Sequence, residues 1–233
     1  MSSLLTNLSA YWKLDESSGA PQDSSGAGKH MTNVGTMPFG SAKINNGVLP
    51  DGTNRMVALQ GDALGFTSSS QSMSWNFWVK ASSWTTYVCQ ITTTAGAGLN
   101  TLVYGASGAA KYYIGGNEIT SSSLSTGVWY MFTLVKTGTT YEFFVNTTSQ
   151  GTITNGSQTA SSNTALALGC NTNDGGVTVT GSPMGSTSGL DEAGVWSKAL
   201  SSAEITALYN SGAGLSYPFS SFTPSPDNRM YFM

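Results

Sequence analysis

The chain has 233 residues, of which 39% are apolar and only 9% charged, and it carries a net charge of -3. That apolar content can build a core and excludes a disordered segment, which combines low hydrophobicity with high net charge. Nine Lys and Arg spread along the chain form no basic stripe for phosphates, and no apolar run reaches the roughly 20 residues of a membrane helix, so neither nucleic acid nor membrane insertion is expected.

From the N-terminus, Met1 to Leu8 has neither the basic start nor the apolar core of a classical export signal. Apolar residues then alternate, the period of half-buried strands. Strands are predicted at Tyr11–Leu14, Arg55–Leu59, Ser72–Lys80, Tyr87–Thr93, Thr101–Tyr104 and Lys111–Ile114. More follow at Trp129–Lys136, Tyr141–Asn146, Gly151–Thr154, Ala165–Leu168, Val177–Thr180 and Gly189–Trp196. In Ser72–Lys80, Met73, Trp75, Phe77 and Val79 share one face, and Ser74, Asn76, Trp78 and Lys80 the other. Clusters of Gly, Asn and Ser punctuate the strands as in an all-β sandwich. Ser201 with Glu204 forms a capping box, flanked by a Leu200–Ile205 staple, and predicts one short helix over Ser201–Ser211 that Gly212 ends in the left-handed conformation.

Cys89 and Cys170 both fall in or beside strands and read as two buried thiols, with a single disulfide as the alternative. His30 is the sole histidine, which leaves a His-based triad or zinc cluster without material.

The two ends of the chain carry a resemblance. Tyr11-Trp12-Lys13-Leu14-Asp15-Glu16-Ser17-Ser18-Gly19 and Asp23-Ser24-Ser25-Gly26 open it. Gly189-Leu190-Asp191-Glu192-Ala193-Gly194-Val195-Trp196, Ala199-Leu200-Ser201 and the helix through Tyr209-Asn210 close it. Together with Trp129–Lys136 and Tyr141–Asn146, these segments resemble the laminin-G-like, concanavalin A-like lectin/glucanase family. The resemblance implies an all-β, two-sheet antiparallel jelly-roll sandwich over residues 1–214, with one short C-terminal helix. It implies that the terminal strands neighbour each other, bringing Trp12 near Asp191–Trp196, and that carbohydrate or protein recognition is the common activity. Two departures stand out: Thr147-Thr148 after Asn146 predicts a wider turn than the family's, and Gly96 to Gly116 matches nothing, marking where a binding surface could have diverged.

Glycanases of this fold place two Glu and an Asp on one strand, and no such set occurs here, so no enzyme activity is expected. Trp78, Trp84, Tyr87, Tyr104, Tyr112 and Tyr113 are candidate platforms on which a sugar ring could stack. Asp15, Asp23 and Asp191 could share one structural calcium ion, against the alternative that Asp23 makes an Asx turn and that Glu16 and Asp191 cap neighbouring backbone N–H groups. The loop Asn171 to Gly176 reads first as a hairpin turn. Residues 215–233 form a proline-broken, extended tail whose Tyr217, Phe219, Phe222, Tyr231 and Phe232 would either fold back or dock on a neighbour as an assembly arm. A fold used outside cells without an export signal gives, as the leading expectation, a non-catalytic accessory protein of a bacteriophage virion. It would decorate capsid or tail, contact other virion proteins and its own copies, and adhere to host-surface glycans. The alternative is a stand-alone carbohydrate-binding module of a secreted glycan-processing system.

Overall fold

The computed structural model describes residues 3–59, 70–93, 100–156, 164–170 and 183–219. The expected strand Val177–Thr180, the loop Asn171 to Gly176, and Phe222, Tyr231 and Phe232 lie outside these residues. The first sheet is built from β1 (Leu8–Trp12), β3 (Phe39–Ser41), β4 (Asn46–Val48), β6 (Met73–Lys80), β11 (Trp129–Thr137), β12 (Thr140–Val145), β13 (Thr148–Thr154) and β15 (Gly189–Trp196). Its order is β13-β12-β11-β6-β15-β4-β3, and β1 joins β15. The second sheet contains β2 (Thr32–Val34), β5 (Arg55–Leu59), β7 (Tyr87–Thr93), β8 (Asn100–Ala106), β9 (Ala109–Ile114), β10 (Asn117–Ser123) and β14 (Thr164–Leu168). Its order is β10-β9-β8-β7-β14-β5-β2, and all pairings in both sheets are antiparallel.

The core between the sheets follows the predicted alternation. Met73, Trp75, Phe77 and Val79 of β6 point inward, as do Phe132 and Leu134 of β11 and Val103 and Tyr112 of the facing sheet. The opposite face of β6 is buried too, because a second apolar layer covers the outer face of the first sheet. That layer is built from Leu4, Leu200, Ile205, Leu208, Leu215 and Phe219, resting on Tyr11, Trp78, Met131 and Trp196. Burial of one such large apolar side chain contributes about 2 kcal/mol.

The terminal strands pair as expected, with Trp12 opposite Ala193 and Leu8 opposite Trp196. The first strand begins earlier than predicted and stops at Trp12, because the chain turns at Leu14 (φ 63°). Helix α1 (Ser202–Tyr209) carries the predicted capping box between Ser201 and Glu204. Its end differs: Asn210, at φ 47°, takes the left-handed cap two residues before Gly212. Asparagine tolerates that conformation, and its side chain here donates to Gly214 O at 2.9 Å. The turn after Phe143-Phe144-Val145 is tight and not wide. Val145 pairs with Thr148, leaving two linking residues, and Asn146 adopts φ 56°. Its main chain and Oδ1 are held by Met131, which fixes the turn without the family's glycine. Both cysteines are free and buried, and burial pushes each thiol up to about 12.

The packed unit extends past residue 214. Phe219 is 1% exposed and Leu215 7% exposed. Phe219 packs edge-on against Tyr11 at 5.1 Å, with Tyr217 6.0 Å from the same ring. These two members of the expected assembly arm are therefore spent on the chain's own sandwich, since rings this apolar gain more by covering Tyr11 and Trp196 than by reaching into water.

Candidate functional site

The outward side chains of the second sheet lie in register. One row runs Thr32, Val57, Ala167, Gln90, Leu102, Tyr113, Glu118 across all seven strands. A second runs Tyr87, Tyr104, Lys111, Thr120 across β7 to β10. Val57, Ala167, Gln90 and Leu102 are buried, whereas Tyr87, Tyr104, Lys111, Tyr113, Glu118 and Thr120 are half-buried or exposed. The accessible part of this face is thus a patch over β8, β9 and β10 with Tyr87 at its margin.

Local sequence builds the patch. Ser107-Gly108 and Gly115-Gly116 each link strands through two residues with positive φ, the geometry that suits the strand twist of a hairpin. Two such turns in succession make β8, β9 and β10 a meander. Alternation then sends Tyr104, Lys111, Tyr113, Glu118 and Thr120 outward, and Val103, Tyr112, Ile114 and Ile119 inward. Gly105 permits close approach of the loop before β7, because a Cβ there would meet the backbone of Trp84 and Thr85 at 2.4–2.8 Å.

Within the patch the Tyr87 and Tyr104 ring centroids are 5.8 Å apart at 37°. Lys111 Nζ pairs with Glu118 Oε2 at 2.8 Å and lies 6.0 Å from the Tyr104 ring centroid. The Tyr104 hydroxyl donates to Glu118 Oε1. Burial, then the bond to Glu118, pushes the Tyr104 phenol well above its ordinary range. The bond from Lys111, then that from Tyr104, holds Glu118 below the usual carboxylate range. The result is neutral overall: phenol rings with apolar faces, and an ammonium–carboxylate pair able to donate and accept.

Three of the expected platforms are elsewhere. Trp78 is 2% exposed, roofed by Tyr209 stacked at 5.8 Å and by Lys43 Nζ at 4.5 Å. Trp84, also 2% exposed, packs on Phe132 and donates through Nε1 to Ser125 O at 3.2 Å. Tyr112 is fully buried against Phe143, since its neighbour Tyr113 takes the outward position. In the sequence, Lys111, Glu118 and Thr120 gave no motif. The signal that could have found them is the Gly115-Gly116 dipeptide, which announces β10 and sets its register.

The aspartates do not form one ligand set. Asp23 accepts from the N–H groups of Tyr11, Ser25 and Lys29 at 2.9–3.0 Å, pinning the first turn to β1. Asp15 accepts from Asn46 N at 3.2 Å, and Asp191 from Ile44 N at 2.8 Å and Glu192 N at 2.9 Å, so both grip the β3–β4 turn. Among the described residues, no group of three or more His, Cys, Asp or Glu is gathered to hold a metal ion. All three carboxylates accept hydrogen bonds from backbone N–H groups.

A second carboxylate feature lies on the first sheet. At the bulge of β15, Glu192 adopts φ 49° and is 1% exposed, beside the fully buried Asp191. Glu192 Oε2 accepts from the Tyr11 hydroxyl at 2.6 Å. Burial pushes Asp191 up to about 9 and Glu192 up to about 7. Paired, raised carboxyls can mark an acid–base site. Here both acids are buried, and the segment Leu215 to Phe219 packs on Tyr11, whose hydroxyl also donates to Leu215 O at 3.4 Å.

Residues 51–206 match the model of the concanavalin A-like lectin/glucanases superfamily. No curated protein matches the chain. Among solved structures, domain 4 of AbnA, an extracellular arabinanase from Geobacillus stearothermophilus in complex with arabinotriose, superposes with a TM-score of 0.68 at 19% identity. That match covers 86% of this chain and 97% of the other. The binding domain of Paraclostridial mosquitocidal protein 1 follows at a TM-score of 0.66 and 13% identity, and the botulinum neurotoxin serotype D binding domain at 0.66 and 14%. Each toxin match covers 90% of this chain, which spans 53% of those chains. These likenesses are of fold. With the family model matching well over half of its length, the chain belongs to the concanavalin A-like lectin/glucanase superfamily.

Proposed function

We propose that the chain is a non-catalytic carbohydrate-recognition module whose ligand lies on the Tyr87–Tyr104–Tyr113 patch. The observation that carries this is the accessible pairing of tyrosine rings with the Lys111–Glu118 ion pair on one sheet face. A pyranose or furanose offers C–H groups on its face and hydroxyls on its rim. The rings suit the first, and the ion pair, with its mixed donors and acceptors, suits the second. The arabinanase domain of similar fold, held in complex with arabinotriose, adds support and names a first ligand to try.

Binding without hydrolysis is supported by the state of Glu118. It is the carboxylate on this face among the described strands, whereas retaining cleavage needs two about 5 Å apart. Its depressed pKa also suits a fixed anion and opposes the raised value of a general acid. The test is calorimetric titration with arabinotriose and a panel of neutral oligosaccharides, comparing the unaltered chain with Tyr104→Ala. Binding that is lost in Tyr104→Ala, without release of reducing ends, is expected. A ligand that binds both proteins equally would refute the assignment of this patch. The narrower assignment to a bacteriophage virion rests on no residue of the patch. It is tested separately, by probing purified particles with antibody to this chain.

A further inference from the structure

The two sheets are joined at one edge by direct contact between β10 and β13, where Ser122 N donates to Gln150 Oε1 at 3.0 Å. At the other edge they part. There β2 ends the second sheet and β3 ends the first, and the link between them, Gly35 to Pro38, spans the gap. Opposite this link stands the segment Ser17 to Ala20. Between the two lies a cleft of about 370 Å³.

The walls of this cleft are fixed by one residue. Asn33 Nδ2 donates to Gly19 O at 3.1 Å and to Met37 O at 2.9 Å, while its Oδ1 accepts from Met37 N at 2.7 Å. Its amide is thereby committed to holding both walls at a set separation. A cleft held open by such bonds costs a ligand little ordering. The floor is apolar, from Met37, Pro38 and Phe39, and Phe39 continues into the main core. The rim carries the hydroxyls of Ser17, Ser18 and Thr32, all exposed. No charged side chain lines the cleft.

We propose that this cleft is a second ligand site, one that takes a single uncharged sugar ring. The volume lies near the lower bound of small-molecule sites, roughly 300 Å³, which suits one ring with its substituents. The apolar floor suits the C–H face, the hydroxyl rim suits the ring's own hydroxyls, and the lack of a charged partner disfavours uronic or sialic acids. The site is separate from the tyrosine patch. Thr32 at the cleft and Tyr113 in the patch lie in the same row, five strand spacings or about 24 Å apart, so one ring cannot touch both.

The test is saturation-transfer NMR on the full chain with methyl α-L-arabinofuranoside, methyl β-D-galactopyranoside, methyl β-D-glucopyranoside and, as the charged control, methyl β-D-glucuronide. Methionine-methyl labelling adds a positional readout, with the Met37 signal assigned by Met37→Leu. We expect transfer to at least one neutral glycoside, a shift of the Met37 methyl signal, and no transfer to the glucuronide. Ser18→Trp and Ala20→Phe, which fill the mouth from two positions, should each abolish the ligand-induced shift of the Met37 methyl signal. Absence of transfer to every neutral glycoside, or a ligand-induced Met37 shift that persists in a folded filling variant, would overturn the proposal. Transfer without any Met37 shift would do the same while leaving the tyrosine patch standing as the sugar site.

Discussion

Replacing Glu192 by Gln should make the protein more stable, and only above mildly acidic pH. Glu192 is 1% exposed and its carboxyl is raised by burial to about 7, against the ordinary 4.5 of a glutamate. The Tyr11 and Ser216 hydroxyls and Lys13 favour its charge, whereas Asp15 opposes it, and burial outweighs them all. Neighbouring Asp191 is itself raised, to about 9. A carboxyl whose folded pKa lies above its unfolded value costs nothing below about pH 4.5, where both states are protonated. The cost grows as pH rises toward 7, where the unfolded chain ionises and the folded one resists, and is constant beyond. The separation of 4.5 and about 7 corresponds to about 3 kcal/mol at pH 8. Gln keeps the shape, accepts from the Tyr11 hydroxyl as the carboxylate does, and turns an amide N–H toward Ser216. At 2–4 °C per kcal/mol for a chain of this size, the variant should melt roughly 6–12 °C above the parent at pH 8 and level with it at pH 4. Calorimetric melting curves from pH 4 to 9 provide the assay. Parallel profiles for the two proteins, or a Gln variant that melts lower at pH 8, would refute the reasoning.

Gly194→Ala should lower the melting temperature by several degrees, a loss of about 2 kcal/mol, because the added Cβ would stand 2.5–2.7 Å from the buried rings of Trp196 and Tyr11. Truncation after Leu215 should destabilise the fold by about 3 kcal/mol, since it removes buried Phe219 and uncovers Tyr11 and Trp196; an unchanged melting curve would show that this segment is not part of the core. Gly105→Ala should weaken oligosaccharide binding more than it lowers stability, as the Cβ displaces β8 from the Trp84–Thr85 backbone and moves Tyr104; titration beside melting separates the two effects. Excess chelator should leave the melting temperature unchanged, because Asp15, Asp23 and Asp191 accept from N–H groups; a fall of several degrees would restore a calcium ion to the site.

Period-two patterning made the strands legible wherever one face met the core: Met73–Lys80 and Trp129–Thr137 match their predicted spans within a residue at each end. Short edge strands were not legible. Thr32–Val34, Phe39–Ser41 and Asn46–Val48 have three residues each, too few to show a period. Asn117–Ser123 escaped because its inward positions are Ile119 and the small polar Ser121, whose hydroxyl accepts from Ala110 N at 3.0 Å. Of the six aromatic candidates, the patch retains Tyr87, Tyr104 and Tyr113. Trp78 and Trp84 looked accessible because their covers, Tyr209 of the helix and Tyr130 of β11, lie far along the chain.

What the sequence by itself determined was local: alternation, turn chemistry, the capped helix, and the matching motifs at the two ends that place β1 beside β15. Those properties depend on residues within a few positions of each other, or on a pattern repeated in a known family. The tertiary structure alone decided which outward faces meet water. The first sheet's outer face is covered over β1, β15, β6 and β11 by the layer that α1 and Leu215–Phe219 build, and the second sheet's remains accessible over β8 to β10. Burial of an outward-pointing ring depends on which distant segment lies above it. Strand periodicity distinguishes two faces of a sheet and carries no information about what covers either one.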